Sequence, residues 1–191
     1  MKTNVFSSPS VVPGIIERIQ TVASQFRSRQ ITPAAPPFTH TDTERREIEV
    51  RRYQQSDFDD LVTMYDTFTS DQRTQGTPPL KTDDIRAWLS DILDGVNAVA
   101  ICENQLIGHV SFVPDEDDRH ELAIFVHQNY QQAGIGSRLL AGGLGLAKQQ
   151  GVDYVWLSVE KSKRYQQRFY NCAGFTTDGP MGIAYRMSRT L

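Results

Sequence analysis

The stretch Glu121–Leu140, ELAIFVHQNYQQAGIGSRLL, constrains this chain more than any other part of it. An apolar β run ends near His127, a short polar loop follows, and Gly134-Ile135-Gly136 opens a helical pattern reaching Gln150. Glycines tolerate positive φ and let a ligand come close to the backbone. The first amides of a helix have no partner within it, and the helix dipole favours an anion there. Strand, glycine loop and helix start together point to a bound pyrophosphate.

Two common pyrophosphate loops fit poorly. The GxxxxGK[ST] spacing of a nucleotide-triphosphate loop is absent. A dinucleotide fingerprint needs a small residue where this sequence has Leu139, and its acidic partner would fall near Asp153, at the start of the next strand rather than its end.

The surrounding pattern is mixed α/β. EIEVRRY from Glu47 reads as a first strand, and Ser56 is expected to cap a helix carrying Phe58, Leu61, Val62, Tyr65 and Phe68 on one face. Thr82 is expected to cap a second helix, opened by Asp83 and Asp84, with Ile85, Leu89, Ile92 and Leu93 buried. Asn97–Cys102 and Leu106–Val113 read as a hairpin, and an acidic turn, Asp115–Asp118, leads to the β run His120–His127. After the glycine loop come YVWLSVE (Tyr154–Glu160), a helix over Arg164–Ala173 broken by Gly174-Phe175, and a last β run at Met181–Ser188, with a further short strand at Phe175–Thr177.

Gln131-Gln132-Ala133-Gly134-Ile135-Gly136 matches the Q/R-x-x-G-x-G/A signature, and with VWLSVE, FYNCAGF and the element order from Glu47 onward the chain resembles the GNAT acetyltransferase superfamily. The resemblance implies a mixed, largely antiparallel central sheet flanked by helices, the GNAT-like acyl-CoA N-acyltransferase fold. It implies acetyl-CoA as co-substrate and direct transfer of its acetyl group to an amine, a protein lysine or a small molecule. The pyrophosphate would lie on Gln131, Gln132, Ala133, Gly134, Ile135, Gly136 and Ser137, and the pantetheine on strand backbone at Phe125 and Val126. Family members place asparagine where this chain has Lys163, and a small residue at Gln166. Lys163 is kept as a coenzyme contact, since with Lys161, Arg164 and Arg168 it makes a basic cluster that could meet coenzyme phosphates; a solvated helix start is the alternative.

An acceptor ammonium, with a pKa of about 10.4, must lose a proton before it attacks. By resemblance, Glu121 stands where some relatives carry the general base; a solvated carboxylate, with a water chain as base, is the alternative. His109, His120 and His127 are rivals for that task. Tyr170 matches the tyrosine that donates a proton to the leaving thiolate, a role suited to a phenol with pKa near 10. Cys172 has no histidine partner in its context and reads as a small core residue.

Charge narrows the classes. Residues 1–46 carry net +3 and the rest −6, making the formal −3 of the whole 191-residue chain. A domain with an acidic balance is a poor match for nucleic acid. With 39 % hydrophobic residues, the chain can bury a core, and no apolar run reaches the roughly 18 residues of a membrane span. Two cysteines make neither a disulfide scaffold nor a zinc site, and no metal is expected. The expectation is a cytoplasmic protein with the folded domain over 47–191, preceded by a tail, 1–46, holding an amphipathic helix and a proline-rich linker; a homodimer stays open. Two further classes also stay open: a catalytically silent acyl-CoA-binding sensor or interaction module, and a dinucleotide-dependent oxidoreductase.

Overall fold

The computed structural model describes residues 30–73, 77–115 and 117–191. The amphipathic helix expected near residues 15–26 lies outside them. The described elements run β1 (Phe38–Thr41), β2 (Glu47–Arg52), α1 (Phe58–Asp66), α2 (Thr82–Ile92), β3 (Val96–Cys102), β4 (Gln105–Pro114), β5 (His120–Val126), α3 (Ile135–Gln149), β6 (Tyr154–Glu160), α4 (Arg164–Cys172), β7 (Thr176–Met181) and β8 (Ala184–Thr190). Among the described residues, no helix is long and apolar enough to cross a membrane.

One eight-stranded sheet joins these strands in the order β1-β2-β3-β4-β5-β6-β8-β7. Every neighbour pair is antiparallel except β5 with β6. The β3–β4 hairpin closes through Glu103 and Asn104, at φ 49° and 64°. Two successive positive φ values give a turn whose twist matches that of the flanking strands. The expected mixed, largely antiparallel sheet is the observed one.

Alternation along the strands sorts side chains into two cores. Val50, Val110, Phe112, Leu122, Val155 and Leu157 face α3 and α4. Val99 and Leu106 face the apolar sides of α1 and α2, which supply Leu61, Tyr65, Phe68, Ile85 and Leu89. α3 packs close to the sheet at Gly142 and Gly143, where no side chain stands between helix and strands. A Cβ on Gly142 would lie 2.6 Å from Val50 Cγ1, and one on Gly143 2.7 Å from Val110 Cγ1.

Several local expectations are corrected. α1 is entered through a 3-10 turn, Gln55–Asp57, rather than from a Ser56 cap. The Asp57 carboxylate ties this turn to β2, accepting from both Arg51 terminal nitrogens, at 2.7 and 2.8 Å, and from the Gln54 amide at 2.8 Å. Lys81 is the N-cap of α2, and Thr82 instead donates its hydroxyl to Asp66. The last β candidates shift to Thr176–Met181 and Ala184–Thr190.

The largest difference lies at the front of the sheet. Residues Ile31–Leu191 form one compact unit, so the expected start at Glu47 falls inside it. Ile31 is buried, and Phe38–Thr41 adds an edge strand against β2. Instead of making a solvated linker, this segment is bonded to the helices, with the Ile31 amide donating to Cys172 O and the Ala34 amide to Ala141 O.

Candidate coenzyme and acceptor site

β5 and β6 pair only at His120–Val155 and Glu121–Trp156. Beyond Glu121 the strands part, and the remainder of β5 has no strand on that side. The His127 amide donates to Ile107 O on β4, at 2.8 Å. With a period of two, the amides of Phe125 and His127 turn toward β4, and those of Ile124 and Val126 toward the gap.

α3 starts beside this gap. Its N-cap, Gly134, has φ 87°, a left-handed conformation that a side chain disfavours, and makes no side-chain cap bond. The first bond into the helix is Arg138 N to Gly134 O. Among the described residues, the six amides from Gln132 to Ser137 have no hydrogen-bond acceptor. They stand at the positive end of a fifteen-residue helix. Gln131 closes the loop onto β5: its Nε2 donates to Val126 O at 2.9 Å and to Gln72 Oε1 at 2.6 Å.

Loop, splayed strand and α4 enclose a groove of about 540 Å³. Ile124 and Val126 line it from β5, Gln131, Gln132, Gly134, Gly136 and Ser137 from the loop, and Tyr165, Gln166, Phe169 and Tyr170 from α4. Gly136 leaves ordinary van der Waals room toward Val126 and Phe169, so its missing side chain widens the groove. Free amides, an open strand edge and a groove between them suit an elongated ligand with a pyrophosphate.

Some expected residues sit elsewhere. Ala133 and Ile135 have buried side chains and offer the groove only backbone. Phe125 turns its ring away, into an aromatic cluster with Tyr65 and Trp88 at centroid distances of 5.4 and 5.8 Å. Ile124, on the gap side, takes its place. Lys163 is exposed at the N-cap of α4 and does not line the groove; Tyr165 and Gln166, in the first turn of the helix, do. Lys161 spends its ammonium on Gly182 O at 2.9 Å. Thr43, from the β1–β2 turn, lines the groove and had no signal in the sequence.

Tyr170 is half-buried in the groove wall, packed on Phe169 and Phe175. Its hydroxyl makes no hydrogen bond among the described residues. Desolvation raises its pKa to about 12, so it stays a donor. Glu121 stands at the apex of the splay on the opposite sheet face, the face that also carries Ala123 and Phe125. Glu121 is exposed. Desolvation raises its pKa, Arg186 acts against that rise, and Asp115 adds to it.

The rival histidines have other duties. His109 is fully buried between Tyr65 Oη, 2.8 Å from Nδ1, and Asn97 Oδ1, 2.9 Å from Nε2. Asn97 donates its amide hydrogens to Leu93 O and Gly95 O, so its oxygen can only accept from His109. Nε2 therefore carries the proton, and Nδ1 accepts from Tyr65. Burial lowers the His109 pKa to about 3, leaving a neutral strut. His127 is buried beside Thr67 Oγ1, at 3.2 Å, tying the end of α1 to the loop. His120 faces the sheet side opposite Glu121.

The acidic turn is also structural. Asp115 accepts Trp156 Nε1 at 3.0 Å and pairs with Arg119 at 3.1 Å, while Arg186 stacks over the Trp156 ring at 4.3 Å. Cys172 is half-buried against the core, and Cys102 is buried; neither is in a disulfide. Among the described residues, no group of three or more His, Cys, Asp or Glu could hold a metal ion.

Comparison with known proteins agrees with this geometry. The model of the acetyltransferase (GNAT) family matches residues 58–175. The GNAT domain of a Streptomyces lividans PAT superposes with a TM-score of 0.69 at 19 % identity, covering 81 % of this chain and 97 % of that one. The PaiA N-acetyltransferase of Thermoplasma acidophilum, solved with coenzyme A, gives 0.60 at 16 % identity over 75 % and 99 %. A ribosomal-protein-alanine N-acetyltransferase from Brucella melitensis gives 0.60 at 20 % identity over 74 % and 99 %. At these identities the structures establish the fold. No curated protein matches the sequence.

Proposed function

The chain belongs to the acetyltransferase (GNAT) family, and from that premise we propose that it passes the acetyl group of acetyl-CoA directly to the nitrogen of an amine. One observation carries this reading: six consecutive unpartnered amides, Gln132–Ser137, beside a strand whose edge is open. Those amides suit the two charges of a pyrophosphate. Ile124 and Val126 present backbone to which the amide groups of a pantetheine arm can pair as an added strand. Phe169 and Tyr170 close the groove over that arm.

The chemistry needs two proton positions. The acceptor ammonium first loses a proton to solvent to give the free amine; its nitrogen attacks the thioester carbonyl carbon, and as the C–S bond breaks the nitrogen loses a second proton, leaving a neutral amide. Glu121, at the apex, takes the proton from the amine, directly or through a water. Its raised pKa makes it a better base near neutrality than an ordinary carboxylate. Tyr170 donates its phenolic proton to the departing sulfur and recovers one from solvent between turnovers.

The acceptor enters from the face that carries Glu121, where α1, α2 and Phe68 border the sheet. Arg73 fixes that border, donating to Tyr65 O at 2.9 Å, Phe68 O at 3.1 Å and Pro78 O at 3.0 Å. A protein lysine or a small amine both fit an opening of this kind. Two unpaired cysteines suit a reducing, cytoplasmic setting.

The test is an acceptor screen with acetyl-CoA, reading free thiol across lysine peptides, α-amines, polyamines and aminoglycosides. At least one class should turn over, and Glu121→Gln and Tyr170→Phe should slow it while coenzyme binding persists. Coenzyme binding with no turnover on any class would favour a silent acyl-CoA-binding module. Binding of NADH in place of acetyl-CoA would overturn the reading altogether.

A further inference from the structure

Residues Ile31–Arg46 precede the stretch matched by the family model, yet they touch both helices bordering the groove and the glycine loop itself. The Ile31 amide donates to Cys172 O at 2.7 Å, at the end of α4. The Ala34 amide donates to Ala141 O at 2.9 Å, midway along α3. The Thr43 amide donates to Ala133 O at 3.2 Å, inside the loop. α3 is shaped for this crossing, because a Cβ on Gly145 would sit 2.1 Å from Ala34 O.

The turn presenting Thr43 is held from within. The buried Asp42 carboxylate accepts the amides of Glu44 and Arg46 at 2.8 and 2.9 Å and Arg46 Nε at 2.7 Å. The Arg46 guanidinium in turn lies over the Tyr130 ring at 4.7 Å. The segment thus grips the loop at Tyr130 and at Ala133. Between those points stand Gln131 and Gln132, the latter at φ 62°. Thr43 itself is exposed and lines the groove beside the free amides.

We infer that Thr43 is a coenzyme-binding residue whose hydroxyl donates to a phosphate oxygen, and that the Asp42–Arg46 pair is the positioning device for Thr43 and the loop. This rests on reading the groove as the coenzyme site. The phosphates are the matching group because Thr43 is fastened to Ala133, within the run of unpartnered amides. A hydroxyl there adds a charge-assisted donor to that set.

The experiment compares full-length wild type with Thr43→Val, Thr43→Ser and Arg46→Lys. Coenzyme A is titrated calorimetrically, and kinetics are run with acetyl-CoA and with S-acetylpantetheine, which lacks the nucleotide. Thr43 is exposed, so the valine variant should melt as wild type does. Thr43→Val should weaken coenzyme A binding about tenfold and raise the KM for acetyl-CoA in parallel, with kcat unchanged. Thr43→Ser should restore both, and turnover of S-acetylpantetheine should be equal in wild type and Thr43→Val. Arg46→Lys should raise the KM for acetyl-CoA while leaving the acceptor KM and kcat alone. Equal coenzyme A binding by wild type and Thr43→Val would overturn the inference and leave the proposed function standing. A Thr43→Val defect of the same size on S-acetylpantetheine would also overturn it. A wild type that does not bind coenzyme A would overturn both.

Discussion

Glu121 and Trp156 are the last partners at which β5 and β6 lie in register, and the sheet opens immediately beyond them. In the proposed mechanism the Glu121 carboxylate, at the apex of that opening, is the base that takes the proton of the amine. Glu121→Gln should therefore lower kcat/KM by about 10²-fold or more, with the coenzyme affinity kept. In wild type the rate should rise with pH as the carboxyl ionises, and desolvation, which raises the Glu121 pKa, shifts that limb upward from where a fully solvated carboxylate would put it. The pH–rate profile of Glu121→Gln should lack this limb.

In the proposed mechanism Tyr170 sets the alkaline side. A phenol near its usual pKa of about 10 would begin to lose its proton there, and the rate would fall. With its pKa raised to about 12, Tyr170 remains a donor, so the profile should stay flat through pH 10. Tyr170→Phe should lower kcat by about 10²-fold without changing coenzyme binding, because the ring contacts with Phe169 and Phe175 survive.

Gly134 turns the chain into α3 at φ 87°, with open space where a side chain would go. Alanine meets no clash there, so the cost is conformational, about 1–2 kcal/mol for the left-handed backbone. The loop can relieve that strain only by rotating the amides it presents. Gly134→Ala should weaken coenzyme A binding more than it lowers the melting temperature, as seen by titration and thermal unfolding on the same sample.

The buried Tyr65–His109–Asn97 chain makes a stability prediction. His109 has its pKa lowered to about 3 in the fold against 6.5 when free. Between those values the unfolded state binds the extra proton, so stability falls as pH drops below about 6.5. His109→Gln should show a shallower loss in denaturant titrations between pH 6 and 4. Tyr65→Phe leaves the Nδ1 acceptor without its donor and should cost about 1–3 kcal/mol at neutral pH.

What could be read from the sequence was local. The glycine loop, the aromatic α4 and the runs that became β5 and β6 are specified by neighbouring residues, and they appear where their periods place them. β7 was hard to read because Asp178, Gly179 and Pro180 interrupt it. An edge strand tolerates them through a register shift between Thr177 and Gly179. β1 carries no apolar alternation, and its place depends on the glycine face of α3, ninety or more residues downstream. The same distance hid Thr43 from sequence reasoning. Phe125 and Ile124 could not be told apart as backbone partners until the β4 pairing fixed which amides face the gap. Lys163 and its neighbours resemble phosphate ligands by charge, but Lys163, Arg164 and Arg168 are exposed outside the groove lining, Lys161 donates to Gly182 O, and Tyr165 and Gln166 reach the groove.

The most direct measurement mixes the full-length protein with acetyl-CoA and the best amine of the screen, and counts products by mass spectrometry. Acetylated amine and free coenzyme A thiol should appear in equal amounts, both slowed together in Tyr170→Phe. Thiol released without acetylated amine, or a thioester left intact while the coenzyme is bound, would contradict direct transfer from this groove.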